Sequence, residues 1–410
     1  MTLAPSRPAT PAWPSLDTVP SGPGVAISSR VARRIFRAAI NRLPVTVHVD
    51  DEVHGLGGPA MTVHASDEFF ARVGRDGLIG FGEAYQTGAW DADDLAAFLT
   101  VLAAEIGTLV PTSLQRLRRL YVARRPRGVR PDEANTRTNV AHHYDLSNDL
   151  FRLFLDETMS YSAALFPRND ASDLAGAQVR KIERLLDATG VRPGSRVLEI
   201  GTGWGELAIR AAQRGATVRS VTLSSEQQAL ARERIAAAGV ADRVTVDLCD
   251  YRAVADDQGY DVVLSVEMIE AVGYDFWSTY FSTIDRLLAP GGRVGIQAIT
   301  MPHDRMLATR GSHTWINKYV FPGGFLPSVE AIEEITGRDT SLRVVDRLAF
   351  GAHYAETLRQ WDERFRAAAD RVAELGFDET FRRMWHFYLE YSRAGFASGY
   401  LDVNQLVLAR

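Results

Sequence analysis

The sequence holds a single cysteine, Cys249. That excludes an intramolecular disulfide and any cysteine-rich metal site, and it fits a reducing compartment. Its neighbours Val246-Asp247-Leu248 suggest a strand end, with a buried structural thiol as the simpler reading. Lysine is nearly absent: Lys181 and Lys318 are the only two, so arginine carries almost all of the positive charge. No run of about 18 apolar residues occurs, which predicts no transmembrane helix. The N-terminus lacks a charged n-region followed by an apolar h-region, which predicts no secretory leader. No G-K-[ST] is present, so no phosphate loop is expected, and no G-x-S-x-G, so no hydrolase elbow. The net charge of −5 divides into +3 over residues 1–130 and −8 over the remainder. Nucleic-acid binding would want a far more basic domain. His142 and His143 are adjacent, so in a helix or a strand they point apart and make no metal pair.

At 410 residues the chain has room for two domains, and its 46% hydrophobic and 24% charged content are ordinary for a globular protein. Residues 1–23 carry six prolines and few large apolar groups, which predicts a disordered tail. Residues 25–43 read as a helix bearing Arg30, Arg33, Arg34 and Arg37. Strands are expected over 45–49 and, as a pair broken at Gly55-Leu56-Gly57-Gly58, over 53–63. Helices are expected from Asp67 and over 94–106, with a glycine-rich apolar stretch at 77–85 between them. Residues 24–115 thus read as a small α+β domain that faces lipid or membrane. An arginine-rich segment, 116–134, follows. It is either a solvated linker or a contact for anionic headgroups, each arginine worth about 1 kcal/mol near such a surface. Beyond residue 135, a helix over 178–189 precedes strands over 197–200, 217–223, 244–248, 260–266 and 293–299. Helices over 206–212, 224–238 and 277–288 alternate with them, and Pro290-Gly291-Gly292 reads as a turn. That alternation predicts a doubly wound parallel sheet over 135–410.

The first of these strands, Val197-Leu198-Glu199-Ile200, runs into Gly201-Thr202-Gly203-Trp204-Gly205 and then a helix. Glycines at such a turn let backbone N–H groups approach a ligand at the carboxyl end of a parallel sheet. The spacing is G-x-G-x-G rather than the G-x-G-x-x-G of a dinucleotide fold. The second strand ends in Thr222-Leu223-Ser224-Ser225-Glu226-Gln227, with no acid for a ribose hydroxyl. Ser224 and Gln227 also match a capping box. Asp250-Tyr251 ends the third strand, where an acid suits an adenine amino group and an aromatic ring can stack. Glu199 is open to an α-ammonium group. A ligand with an amino-acid end, an adenosine end and no phosphates points to S-adenosylmethionine.

Further segments carry a resemblance: residues 143–151 (HYDLSNDLF), Tyr161-Ser162, residues 197–205, Thr222 through Gln227, Met268-Ile269-Glu270, Lys318-Tyr319 with Phe321-Pro322-Gly323-Gly324, and Tyr354 before Trp361. With these the sequence resembles the cyclopropane-fatty-acyl-phospholipid synthase family. Gly80-Phe81-Gly82-Glu83 and residues 297–302 extend the likeness to its actinobacterial tuberculostearic acid, or 10-methylene fatty acid, methyltransferase branch. The resemblance implies a class I methyltransferase fold (α/β, Rossmann-like) behind a smaller α+β domain. It implies a cofactor site lined by Tyr161, Ser162, Gly201, Gly203, Thr222, Leu223, Gln227, Asp250 and Tyr251, to which Glu199 and Gly205 belong by position. It also implies a bicarbonate ion beside the sulfonium. Glu270 and Tyr354 match that ion's ligands and Ile299 supplies the backbone contact. Ala163 stands where the family has cysteine, and Gln297 where it has histidine.

The implied chemistry is methyl transfer to the cis double bond of an oleoyl-type phospholipid chain, through a carbocation that needs a dry site. Phe166, Tyr274, Phe276, Trp277, Trp315, Tyr319 and Phe321 are aromatic candidates for that site, or plain core residues. Because Ala163 and Gln297 alter the place of the base, the 10-methylene product is favoured over a cyclopropane. A small-molecule methyltransferase is the further alternative. The expected partners are acyl chains at the inner face of the membrane, a separate reductase for the methylene, and further copies of the chain. Nucleic acid and metal are not expected.

Overall fold

The computed structural model describes Trp13 and residues 15–105, 147–168, 170–256 and 258–410. The segment 116–134, His142 and His143 lie outside these residues, so their readings stay expectations. The described chain forms two compact units that are not consecutive in sequence. One takes the residues up to 105 together with Gly311–Pro322 and Leu358–Tyr400. The other takes 147–310, Gly323–Thr357 and Leu401–Arg410. The block expected over 135–410 is therefore interrupted twice.

The first unit is built on a four-stranded sheet: β1 (Thr46–Val49), β2 (Glu52–His54), β3 (Ala60–Val63) and β4 (Trp90–Ala92), in the order β2-β1-β3-β4. β1 and β3 are parallel and the other pairs antiparallel. Val47 and Val49 are buried while His48 between them is exposed, the alternation of a strand with one covered face. Asp94 accepts from the Ala97 N–H and so starts the helix Leu95–Ala104. The glycine-rich stretch proves to be the helix Leu78–Gln86. Its Gly82 is a close approach: a Cβ there would lie 2.4 Å from Cδ1 of Trp315, whose Nε1 donates to Gln86 at 2.8 Å. Glu83 is fully buried in the same helix, and its Oε1 accepts from Lys318 and, at 2.8 Å, from the Tyr319 hydroxyl.

The tail expected over 1–23 is not loose where it is described. Trp13 donates to Asp378 at 3.1 Å, and the buried Arg72 donates to the carbonyls of Ser15 and Leu16 at 3.2 and 2.9 Å. Leu16 is buried, and a helix begins at Pro23. Proline content alone misses these long-range anchors.

The second unit is built on a seven-stranded sheet: β5 (Arg196–Ile200), β6 (Thr217–Thr222), β7 (Val244–Leu248), β8 (Tyr260–Val266), β9 (Leu288–Thr300), β10 (Arg343–Ala349) and β11 (Asp402–Ala409). The order is β10-β11-β9-β8-β5-β6-β7. From β9 to β7 every pair is parallel, as the alternation of elements predicts. β11 is antiparallel to both β9 and β10. The turn expected at Pro290–Gly292 is an irregularity inside β9, where pairing with β8 jumps from Tyr260↔Leu288 to Val262↔Arg293. Successive residues of β5 face opposite clusters. Leu198 and Ile200 pack with Trp277, Phe281 and Ile332, and Val197 with Leu185, Ala208 and Ile235. Both faces are covered, and the parallel pairing sets the carboxyl ends of β5 to β8 along one edge. Cys249 just beyond β7 is half-buried rather than buried.

The Gly82→Ala variant is expected to lose about 1–3 kcal/mol of stability through overpacking against Trp315. Denaturant unfolding followed by tryptophan fluorescence reads it, and an unchanged midpoint would contradict the contact.

Candidate active site

The three glycines after β5 are all left-handed, with φ of 95°, 52° and 94° at Gly201, Gly203 and Gly205. Two serve packing. A Cβ on Gly201 would lie 2.5 Å from Cγ of Met268, and one on Gly205 3.3 Å from Cβ of Ala231. Gly203 is different: nothing lies within 4 Å of a Cβ built there, so its backbone fronts open space. Gly205 then caps the helix Glu206–Gln213.

Around this edge stand the other candidate cofactor residues. Glu199 is buried rather than open, and its Oε2 accepts from Ser220 Oγ at 2.5 Å. Burial pushes its carboxyl up to about 8, against the pull of that bond. Thr222 donates to Gln227 Oε1 at 3.0 Å, while the Gln227 N–H donates to Ser224 Oγ at 3.2 Å, so half of the capping box forms. Leu223 is half-buried. Asp250 is held in a fork by Arg252, at 2.8 and 2.6 Å, a partner the sequence reading passed over. Burial alone would raise the Asp250 carboxyl, but the guanidinium holds it below the usual range. Tyr251 meets Tyr280 edge-on at 5.5 Å, and Tyr161 meets Phe151 at 5.2 Å. Ser162 Oγ accepts from the buried Lys181 at 2.6 Å. Space at Gly203, with an acid, hydroxyls and aromatic rings along one sheet edge, fits a ligand of the expected kind.

The centre of the remaining candidates is a residue that sequence reasoning missed. Glu267 follows β8 directly, with a left-handed φ of 51° that is uncommon for a side-chain-bearing residue. Its N–H donates to the Gln297 carbonyl at 2.7 Å. Its Oε1 accepts from the Ala163 N–H at 2.9 Å and from Gln297 Nε2 at 2.8 Å, and its Oε2 accepts from the Tyr354 hydroxyl at 3.0 Å. The other Gln297 amide hydrogen goes to the Ala163 carbonyl at 3.3 Å. Gln297 Oε1 accepts from Gln405 Nε2 at 3.0 Å, and the two glutamines face each other in the β9–β11 register. Gln405 in turn accepts from Arg184 at 3.1 Å. Gln297, Gln405 and Ala163 are fully buried and Tyr354 is buried, whereas Glu267 and Glu270 keep some exposed surface.

Glu270 therefore does not share a ligand with Tyr354 as expected. Its Oε1 accepts from the Ile299 N–H at 2.6 Å, and its Oε2 is buried with no hydrogen-bond partner. Burial and then the Glu267 charge push Glu270 up to about 8. Burial raises Glu267 as well, but the Ala163 N–H, the Gln297 amide, the Lys181 charge and the Tyr354 hydroxyl pull it back. Glu267 thus has three donors and a cation to offset its burial, and Glu270 has the Ile299 N–H. Burial lowers Lys181 to about 8, against the attraction of Glu267. A sequence signal existed: two acids three residues apart, Glu267 and Glu270, flank the apolar Met268-Ile269 at a strand exit. The donors of Ala163, Gln297 and Tyr354 are already given to Glu267, so bicarbonate does not fit this arrangement as a further anion.

The aromatic candidates divide. Trp277 is a core residue, donating to the Ile269 carbonyl at 3.0 Å and stacked on Phe325. Tyr274 carries Arg310 over its ring at 4.0 Å. Phe276 has Arg252 5.9 Å from its centroid, and the buried Phe166 lies 6.2 Å from His353. Trp315, Tyr319 and Phe321 belong to the first unit.

A seven-stranded sheet of this order, with a glycine turn after its first parallel strand, defines the class I methyltransferase fold. The fold alone is shared with coclaurine N-methyltransferase, at a TM-score of 0.65 and 18% identity over 81% of this chain and 99% of that one. Mycolic acid cyclopropane synthase CmaA1, solved with SAH and CTAB, matches with a TM-score of 0.61 and 30% identity, covering 70% of this chain and 99% of that one. The chain belongs to the mycolic acid cyclopropane synthetase family, whose model matches residues 132–406. It is 55% identical to the tuberculostearic acid methyltransferase UfaA1 of Mycobacterium tuberculosis, over 97% of this chain and 95% of that one. It is 36% identical to the cyclopropane-fatty-acyl-phospholipid synthase of Escherichia coli, over 84% and 86%.

A carboxyl whose folded pKa is raised stabilises the fold below its unfolded pKa, and that contribution is lost as pH rises through the folded value. Glu270→Gln is therefore expected to gain melting temperature relative to the unsubstituted protein as pH rises from 4.5 towards 8, and to level off above. A pH-independent difference in thermal melts would contradict the protonation assigned to Glu270.

Proposed function

We propose that the protein transfers a methyl group from S-adenosylmethionine to the cis double bond of an oleoyl-type phospholipid acyl chain and releases a 10-methylene acyl chain. The observation that carries this reading is the 55% identity to a tuberculostearic acid methyltransferase along nearly the whole of both chains. The bound cofactor supplies an electrophilic methyl group, which an isolated alkene cannot otherwise obtain. Gly203 offers its backbone at the sheet edge. Thr222 and Gln227 suit the middle of the cofactor, and Asp250 with Tyr251 its adenine. The chain must hold the alkene in line with the methyl at near-attack distance and keep water from the cation that follows. After a hydride shift, a proton leaves the added methyl and its C–H electron pair closes the methylene double bond. A separate reductase then has a substrate to saturate.

The substrate sits in a bilayer, and none of the described helices is long and apolar enough to cross one. The helix Pro23–Ile40 supports docking at the surface. Ile27 and Val31 are exposed on it at i, i+4, beside exposed Arg30 and Arg34. Arg33 and Arg37 pair with Asp50 and Glu52 at 3.1 and 2.8 Å and are spent within the chain. Binding to anionic vesicles is expected to weaken as salt rises and to fall with Arg30→Glu/Arg34→Glu. Co-sedimentation checks both, and salt-independent binding would contradict the docking.

The reaction itself is tested on purified protein with oleoyl phospholipid and S-adenosylmethionine. The expected product is ~14 mass units heavier than the substrate chain and shows vinylidene protons by NMR. Cyclopropane proton signals without vinylidene signals would overturn the product assignment.

A further inference from the structure

Deepening that methyl-transfer reading, we propose that Glu267 is the resident proton acceptor of the reaction and occupies the place where an external anion such as bicarbonate would otherwise bind. Its carboxylate is gripped by three donors from separate parts of the chain: the Ala163 N–H, the Gln297 amide on β9 and the Tyr354 hydroxyl on the helix Gly351–Ala367. A site for a free oxyanion of this size would present the same donors unspent. Here the Tyr354 hydroxyl proton goes to Glu267, and the two Gln297 amide hydrogens go to Glu267 and the Ala163 carbonyl. Turning the Gln297 amide over would break both bonds and set its NH2 against the NH2 of Gln405. A second anion would find Glu267 and Glu270 in its way and no donor among these groups.

Two independent features say that Glu267 is held there deliberately. Its φ of 51° is a conformation that a glycine adopts freely and a glutamate adopts at a cost. The strain persists because the Glu267 N–H is tied to the Gln297 carbonyl at 2.7 Å. The buried Lys181 adds a positive charge that favours the ionised carboxylate.

The step balances without another reagent. A C–H bond of the added methyl breaks, its electron pair forms the C=C bond and quenches the cation, and the proton passes to a Glu267 carboxylate oxygen. Glu267 returns the proton to solvent when product leaves.

The test pairs methylation with a binding measurement that needs no turnover. Unsubstituted protein is expected to methylate oleoyl phospholipid equally in carbon-dioxide-free and bicarbonate-supplemented buffer, and to show no saturable shift with [13C]bicarbonate by NMR. Glu267→Gln, which keeps the shape and removes the base, is expected to lose about 10²- to 10⁴-fold in kcat while its affinity for S-adenosylhomocysteine by calorimetry is unchanged. Glu267→Gly suits the backbone and frees the donors, so it is expected to bind [13C]bicarbonate saturably and to regain methylation as bicarbonate or formate is added. Saturable bicarbonate binding by the unsubstituted protein, or full activity of Glu267→Gln, would overturn the proposal. If oleoyl chains prove not to be the substrate, the binding contrast between Glu267 and Glu267→Gly still decides the anion-site claim.

Discussion

A carboxylate withdrawn from water must be given donors, because an ion left unmatched in a poorly solvated place costs several kcal/mol or shifts to its neutral form. That requirement explains why such distant segments meet at Glu267. The loop at Ala163, strand β9 through Gln297 and the helix carrying Tyr354 each supply one donor. Behind them, β11 lies antiparallel beside β9 in the register that sets Gln405 against Gln297, and Arg184 backs Gln405. The added antiparallel strands are thus part of the site's support rather than a decoration on a parallel sheet. The other unit obeys the same rule. Glu83 is fully buried among Lys318, Tyr319 and Arg72, and this draws residues 311–322 into the N-terminal unit. The two lysines of the chain, Lys181 and Lys318, each serve one of these glutamates.

Donor supply also separates two neighbouring acids by chemistry. Glu267 has three donors and a nearby cation, and Glu270 has the Ile299 N–H alone. Burial raises both carboxyls, and the donors offset that rise at Glu267 more than at Glu270, an asymmetry of the kind by which paired carboxyls take different roles. The arginine fork on Asp250 and the Ser220 bond on Glu199 show the same control at the carboxyl edge of the sheet.

Local pattern made much of the fold legible. The glycine turn, the alternation of β5 to β9 with helices and the cap at Ser224 are short-range facts, and residue order carries them. What order does not carry is long-range closure. Two inserted segments complete the first unit, and β10 with β11 complete the second sheet, through contacts between segments far apart in sequence. The motif Met268-Ile269-Glu270 drew attention to Glu270, yet the residue just before it holds the centre. A left-handed backbone at Glu267 has no signature in sequence, and three donors converging on it come from positions 163, 297 and 354. Ala163 and Gln297 stood out as departures from a family pattern. Their physical meaning emerged only with the carboxylate they both bind.

The most direct measurement is a crystal structure of the protein grown with bicarbonate and S-adenosylhomocysteine. The Glu267 carboxylate is expected to be bonded to the Ala163 N–H, Gln297 Nε2 and the Tyr354 hydroxyl, with no carbonate-shaped density among them. A planar three-oxygen anion on those donors, with Glu267 turned aside, would contradict it.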